Sequence, residues 1–283
     1  MSKPYSIRIF LPTGDPDSMR IIEKSNWSGV GLVFPRSIFG EIRNRKELAR
    51  TGVYVLIGPP EESGFQRVYV GEGDPIKDRL EQHVVKKDFW TSCICFTSKD
   101  ENLNKAHAQY LEARLIERAA RTKRCVLDNN NFPSLPSLSE ADTADAYGFF
   151  EEMMLCFPVL GLGVFSEIST LPGTGKIFFI CSKGIEAQGM ETTEGFIVRA
   201  GSGAVKTEVP SCLAYVKELR AALVANGVLN ASGDGYTFVQ DYVFTSPSTA
   251  AEVVLGYSVN GRIAWKTKEG KTLKQIQEEV AAK

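Results

Sequence analysis

Between Gly52 and Lys87 the chain has little freedom in what it can become. Gly52-Val-Tyr-Val-Leu-Ile57 and Arg67-Val-Tyr-Val70 are β-branched and aromatic runs separated by a turn-rich stretch from Gly58 to Gly64. That is the pattern of a hairpin with a long loop. Asp74-Pro75 then supplies a helix cap and a proline suited to the first helical position. Ile76, Leu80 and Val84 follow at helical spacing, so a helix is expected to about Lys87. Trp90 to Thr97 reads as a third strand and Leu103 to Arg121 as a second long helix. Upstream, Ser6–Phe10 alternates and Gly31–Phe34 is a short apolar run ending at Pro35, giving residues 1–49 the character of a β-rich lead-in.

The chain has 283 residues, 43% of them hydrophobic and 24% charged, which excludes collagen-like, disordered and coiled-coil classes. Its formal net charge of −1 excludes a bulk polycation that holds nucleic acid by charge alone. The longest apolar stretch, Met153 to Phe165, has thirteen residues and contains Pro158, too short to span a bilayer, so no membrane association is expected. The opening Met-Ser-Lys-Pro-Tyr lacks the apolar core of a signal peptide. A cytoplasmic protein with its six cysteines reduced is therefore expected. Cys93 and Cys95 are too close in sequence for zinc-ligand spacing, and they read as packing residues of the third strand.

Charge divides the chain. Residues 1–125 carry 21 basic and 16 acidic side chains, 126–175 carry seven acids and no Lys or Arg, and 176–283 carry twelve basic and eleven acidic side chains. This points to two folded units joined by an acidic helical connector at 133–170, its helix running from about Glu140 to Cys156 behind Ser139. Leu171-Pro-Gly-Thr-Gly175 marks the boundary, and 171–283 form the second unit. There, strands are expected at Ile177–Cys181, Gly195–Ala200 and Asp241–Phe244. Helices are expected at Cys212–Ala225 and from Ser246-Pro247 to Gly256. Asn260-Gly261 reads as a type I′ hairpin turn before Arg262–Trp265. Gly175-Lys176 lacks the earlier glycine and following Ser or Thr of a P-loop, and two histidines are too few for a multi-histidine zinc hydrolase.

The chemistry concentrates in the first unit. If Tyr54 pairs with Tyr69 across the hairpin, two phenols share one face and Val53, Val55, Val68 and Val70 the other. Arg79 and His83 are four residues apart and lie on one side of their helix. Glu112 sits in the middle of an apolar face, with Ala108, Leu115, Ile116 and Ala119 within about 60° of it at roughly 100° per residue. A lone buried charge costs several kcal/mol, so Glu112 calls for a cation: an arginine, a lysine or a metal. His107 lies about 140° away on the same wheel and reads as a surface residue.

Gly52-Val-Tyr54, Tyr69-Val-Gly71, Arg79 and the helical Glu112 together resemble the GIY-YIG nuclease domain, over roughly residues 50–132. The lead-in, with Glu23-Lys-Ser-Asn-Trp27, and the segments Phe244-Thr-Ser-Pro-Ser-Thr-Ala-Ala251 and Asn260-Gly-Arg-Ile-Ala-Trp-Lys266 resemble superfamily members that carry a C-terminal domain of unknown function. Glu72-Gly73 stands where such domains often have small, polar or basic residues. The resemblance implies an α+β protein, with a small mixed sheet flanked by helices and a second α+β domain.

It also implies metal-assisted hydrolysis of phosphodiesters, most simply in DNA, with RNA also open. Glu112 would hold one divalent ion, Mg²⁺ or Mn²⁺, and Arg79 would neutralise charge on the phosphorus. Tyr54 would orient or deprotonate the attacking water, Tyr69 would position water and phosphate, and His83 would polarise the nucleophile or contact a phosphate. Gly52 and Gly71 of the two motifs, with Asn129, belong to the expected substrate-binding surface. In the second unit Lys266 and Lys268 open a basic run through Lys271 and Lys274 that could follow a phosphate backbone, with Trp265 either near the bases or in the core. Some such families pair subunits to cut both strands, which makes a homodimer one expected form. The alternative is a non-catalytic module on a nuclease fold that binds nucleic acid or protein.

Overall fold

The computed structural model describes residues 4–62, 64–167, 176–182 and 184–282; the expected boundary at 171–175 lies outside them. The chain forms two compact units, 1–61 with 65–166, and 62–64 with 167–283. Mixed α+β architecture holds in both.

In the first unit the elements are β1 (Ile7–Phe10), β2 (Arg20–Lys24), β3 (Gly29–Pro35), α1 (Phe39–Ile42), β4 (Gly52–Pro60) and β5 (Gln66–Gly73). They continue with α2 (Ile76–Lys86), β6 (Ser92–Ser98), α3 (Lys105–Thr122), β7 (Cys125–Leu127) and α4 (Glu140–Val159). The strands form one seven-stranded sheet in the order β1-β2-β3-β6-β4-β5-β7. The sheet is larger than the hairpin and third strand alone would make, because β3 pairs with β6 from Gly29↔Ser98 to Pro35↔Ser92 and so draws the lead-in into the same sheet. Only β5·β7 is parallel, and it covers just Gln66 to Val68.

Alternation splits the core between the two faces of this sheet. Val53, Val55, Val68 and Val70 pack with Leu111, Leu115 and Ile116 of α3 and with Phe150, Met153 and Phe157 of α4. Tyr54 and Leu56 pack on the other face with Phe39, Ile76 and Leu80 of α1 and α2. The helix read as a connector is thus part of this unit's core, tied further by the ion pair of the buried Lys24 with Glu152 at 2.7 Å. Pro158 falls inside its last turn and does not stop it. Asn104 caps α3 by accepting from the His107 N–H at 3.0 Å. His107 is buried, against expectation, and its Nε2 lies 3.5 Å from Asp142 of α4. Packing of α4 over the start of α3 buries a position that the isolated helix would leave wet.

The second unit contains β8 (Phe178–Ser182), β9 (Ile185–Thr192), β10 (Gly195–Val198), β11 (Gly203–Val205), α5 (Ala214–Ala225), β12 (Leu229–Ser232), β13 (Gly235–Phe238), β14 (Tyr242–Phe244), α6 (Pro247–Leu255), α7 (Gly261–Ala264) and α8 (Leu273–Ala281). Two sheets, β14-β10-β9-β8 and β11-β13-β12, are antiparallel throughout. Ser246 caps α6 and Gly256 ends it in the left-handed conformation, as the sequence indicates. The hairpin expected at Asn260-Gly261 is not formed. Asn260 instead caps α7, its side chain accepting from the Arg262 N–H at 3.0 Å. Gly261 lies so close to Pro247 that a Cβ would stand 2.1 Å from its carbonyl oxygen. Trp265 is fully buried against Phe196, with its Nε1–H donating to the Pro247 carbonyl at 3.0 Å, so it is a core residue and not a base-stacking surface.

Candidate active site

The hairpin register differs from the expected one by two residues. Tyr54 pairs with Gly71, and Tyr69 with Leu56. Because side chains alternate with period two, this shift keeps both phenols on one face. It also explains a glycine. A Cβ on Gly71 would lie 2.3 Å from the Tyr54 hydroxyl oxygen and 2.4 Å from its Cζ, so the glycine provides the seat for the Tyr54 ring. Gly52 has a similar duty: a Cβ there would meet the Phe96 carbonyl oxygen at 2.2 Å and Ile76 Cδ1 at 2.8 Å. Both glycines are buried and serve packing rather than offering surface to a substrate.

Pro75, not Asp74, occupies the cap position of α2, and Asp74 accepts from the Thr51 hydroxyl at 2.7 Å. This start turns Arg79 and His83 toward the tyrosines. The Tyr54 hydroxyl and His83 Nε2 are 2.8 Å apart, and His83 is buried rather than solvated. The His83 ring meets Tyr69 edge-on at 5.0 Å, and the two tyrosine rings are 6.4 Å apart. The Arg79 charge acts on the Tyr54 phenol, while its own surface remains largely exposed and its Nη1 donates to Gln82 Oε1 at 3.4 Å. Which of Tyr54 and His83 donates in their contact follows the imidazole tautomer: a hydroxyl can give or accept, and a ring nitrogen gives only when it carries the proton.

The electrostatics are consistent with that arrangement. Burial and the neighbouring Tyr69 push the Tyr54 phenol far above its ordinary range, with Arg79 pulling in the opposite sense. Burial, followed by the charges of Arg79, Lys87 and Lys86, lowers His83 to about 4, so the ring is neutral near pH 7 and able to accept a proton. Its Nδ1 is buried without a hydrogen-bond partner.

Glu112 approaches from the opposite face of the sheet. Since β7 pairs only with Gln66 to Val68, the later part of β5 is an open edge, and α3 passes beside it. There the Glu112 carboxylate comes under the charges of Glu72 and Arg79. Burial, then the Glu72 charge, raises Glu112 to about 7, against the opposing pull of Arg79. Burial and the Glu112 charge likewise raise Tyr69. Lys105, the structural partner one could assign to Glu112 from the helix alone, is not paired with it; Arg79 is the cation acting on it. Asn129 uses both ends of its amide on Val70, accepting its N–H at 2.9 Å and donating to its carbonyl at 2.8 Å. It therefore continues the β7 edge and braces the strand of Tyr69.

Two further residues belong to this cluster. Lys87 Nζ lies 4.2 Å from the Tyr69 ring centroid and pairs with Asp128 at 2.5 Å. Its place was readable in the sequence, since 79, 83 and 87 are successive i,i+4 neighbours on one side of a helix. Glu72 points to the Glu112 side, and one of its oxygens, Oε2, is buried with no hydrogen-bond partner.

Glu112 and Glu72 are hard oxygen donors. Among the described residues no three His, Cys, Asp or Glu side chains are grouped to hold a metal ion. A two-carboxylate set suits Mg²⁺ or Mn²⁺, which commonly keep several waters and take remaining ligands from phosphates.

Lys266 and Lys268 lie in the second unit, exposed, where they line a cavity of about 640 Å³ with Phe179 and Tyr257. Lys266 is held by backbone pairing with Phe179, and Lys268 Nζ stands 5.6 Å from the Phe179 ring. Lys271 and Lys274 are paired with Glu279 and Glu278, which halves the basic run. All six cysteines are free thiols. Among the described residues no helix is long and apolar enough to cross a membrane.

No curated protein and no solved structure matches this chain. Residues 178–277, within the second unit, match the family model described as a domain of unknown function, DUF4357.

Proposed function

We propose that the first unit is a GIY-YIG-type phosphodiesterase, a metal-dependent endonuclease acting on nucleic acid and most simply on DNA. The observation that carries this reading is the meeting of Tyr54, Tyr69, Arg79, His83 and Glu112, from β4, β5, α2 and α3, at the open edge of β5. A packing role alone gives no reason for a histidine, an arginine and a carboxylate to gather around two phenols.

In this reading Tyr54 takes a proton from the attacking water as its own hydroxyl proton passes to His83 Nε2. A phenol with a raised pKa is a poor base by itself, and a neutral imidazole at 2.8 Å supplies the acceptor it needs. Arg79, whose charge acts on Tyr54, offers its N–H groups to the non-bridging phosphate oxygens, where negative charge develops. Tyr69, held by the His83 edge and the Lys87 ammonium, orients the phosphate. A divalent ion held by Glu112 would supply charge stabilisation to the departing oxygen. The second unit contributes Lys266 and Lys268 to backbone binding.

The test is cleavage of supercoiled plasmid, linear duplex, single-stranded DNA and RNA in Mg²⁺ and in Mn²⁺, with EDTA and Glu112→Ala as controls. Metal-dependent cutting by the wild type that disappears in Glu112→Ala is the expected result. Folded protein that cuts none of these substrates would overturn the nuclease reading in favour of a non-catalytic binding module.

A further inference from the structure

The passage of α4 over the start of α3 buries His107 and leaves a cavity of about 470 Å³ beside it. Asp142, Asp145 and Phe149, at i, i+3 and i+7 on one side of α4, line it together with Trp27, Asp100 and His107. Its volume suits a small-molecule site, and the nuclease reading makes no use of it. Trp27 and Phe149 form an aromatic wall, their ring centroids 4.9 Å apart. Trp27 Nε1 and His107 Nε2 are both buried without a hydrogen-bond partner, and His107 is only 9% exposed. Ring nitrogens buried in this way cost free energy until a partner arrives. His107 Nε2 stands 3.5 Å from Asp142 Oδ1 with no hydrogen bond between them, while the other Asp142 oxygen accepts from the Ser139 hydroxyl at 2.7 Å. Asp142 Oδ1 thus keeps its capacity to accept from an incoming donor. Asp100, Asp142 and Asp145 charge the lining, and among the described residues no lysine or arginine joins them there. Such a cavity repels phosphates and carboxylates and draws cations, which aromatic rings also attract.

We propose that this cavity is a binding site for a small organic cation, its ammonium or guanidinium head hydrogen-bonded to Asp142 Oδ1 and packed against Trp27 and Phe149. The indole N–H is a donor only, so it calls for a hydroxyl or carbonyl oxygen on the same molecule. Among the described residues no three His, Cys, Asp or Glu side chains are grouped to hold a metal ion, which leaves the charge of the cavity to an organic head. None of Tyr54, Tyr69, Arg79, His83 and Glu112 lines the cavity, so the site stands independently of the nuclease reading.

The chain has two histidines, so the imidazole NMR signals of the full chain report on the cavity directly, with His107→Gln to assign them. The probes are 4-guanidinobutanol, its neutral isostere 4-ureidobutanol, and N-acetylargininamide, which carries the same head as a side chain. Saturable movement of the His107 signals by a guanidinium probe, with those of His83 unmoved, is the expected result. The stronger of the two cations shows whether the head belongs to a free molecule or to a protein side chain. The urea should bind roughly tenfold more weakly or worse, and Asp142→Asn should weaken the cation by a similar factor, as loss of a charge-assisted hydrogen bond does. Asp145→Asn, an exposed change that leaves the fold untouched, should weaken it by a smaller factor, and circular dichroism checks both variants. His107 signals that neither cation moves would overturn the proposal. So would a urea that binds as well as the guanidinium, or wild-type affinity in both Asp142→Asn and Asp145→Asn.

Discussion

Replacing Gly71 by alanine tests the architecture of the site without any assumption about its chemistry. The added Cβ would stand 2.3 Å from the Tyr54 hydroxyl oxygen and 2.4 Å from Cζ. Relaxed contacts between heavy atoms lie near 3.5–4.0 Å, so the ring must withdraw by roughly 1 Å or more. It has nowhere to go: Tyr54 is 0% exposed and its hydroxyl is bonded to His83 at 2.8 Å. Overpacking of this kind costs about 1–3 kcal/mol, and the strained hydrogen bond adds up to about 1 kcal/mol. We expect Gly71→Ala to destabilise the first unit by about 2–4 kcal/mol, read as a lower denaturant midpoint at unchanged m-value. Gly148→Ala is the internal contrast. Gly148 lies inside α4, exposed, with nothing within 4 Å of its Cβ position, so the change should stabilise by about 0.5–1 kcal/mol. A Gly71→Ala variant within about 0.5 kcal/mol of wild type, the range of a neutral surface change, would refute the seat assigned to the Tyr54 ring.

Tyr54→Phe keeps the ring and removes the hydroxyl, leaving His83 Nε2 buried without a partner. A loss of about 1–3 kcal/mol in denaturant stability is expected, together with a drop of about 10²–10⁴-fold in cleavage rate on the nuclease reading; full cleavage would leave Tyr54 a packing role only. The pH dependence of stability carries two opposed contributions. His83, lowered to about 4 from an ordinary 6.5, binds fewer protons when folded, so its contribution is complete above pH 6.5 and is lost as pH falls toward 4. Glu112, raised to about 7 from 4.5, binds more protons when folded, so its contribution is complete below pH 4.5 and is lost as pH rises through 7. Urea midpoints of the wild type should therefore vary little between pH 4.5 and 6.5, while Glu112→Gln should show a clear rise over that window; a flat profile in the variant would contradict the buried, neutral His83. Lys266→Ala with Lys268→Ala should weaken nucleic-acid binding across sequences and reduce the slope of log affinity against log salt by about 2 for duplex DNA, measured by fluorescence anisotropy. An unchanged slope would remove these lysines from the backbone contact.

Local pattern in the sequence determined much of the first unit. Alternation at 52–57 and 67–70 dictated two strands, and the Ile76, Leu80, Val84 stripe dictated the face of α2, because both are properties of one segment meeting one apolar surface. The same logic singled out Glu112 as a carboxylate on an apolar face, and Arg79 with His83 as neighbours on one side of a helix. What one segment cannot contain is its partner. The two-residue shift in the hairpin register, the recruitment of the lead-in through β3·β6, and the burial of His107 under α4 depend on segments distant along the chain. The Asn260-Gly261 pair carries the same turn preference in a hairpin or at a helix cap, and only the close passage of Pro247 decided for the cap. Tertiary structure alone also made the cluster. The shortness of β7 leaves β5 an open edge, and across that edge Glu72 and Glu112 on one face of the sheet meet Tyr69 and Arg79 on the other. Alternation assigns those groups to opposite sides, and only the end of a neighbouring strand lets them act on one another.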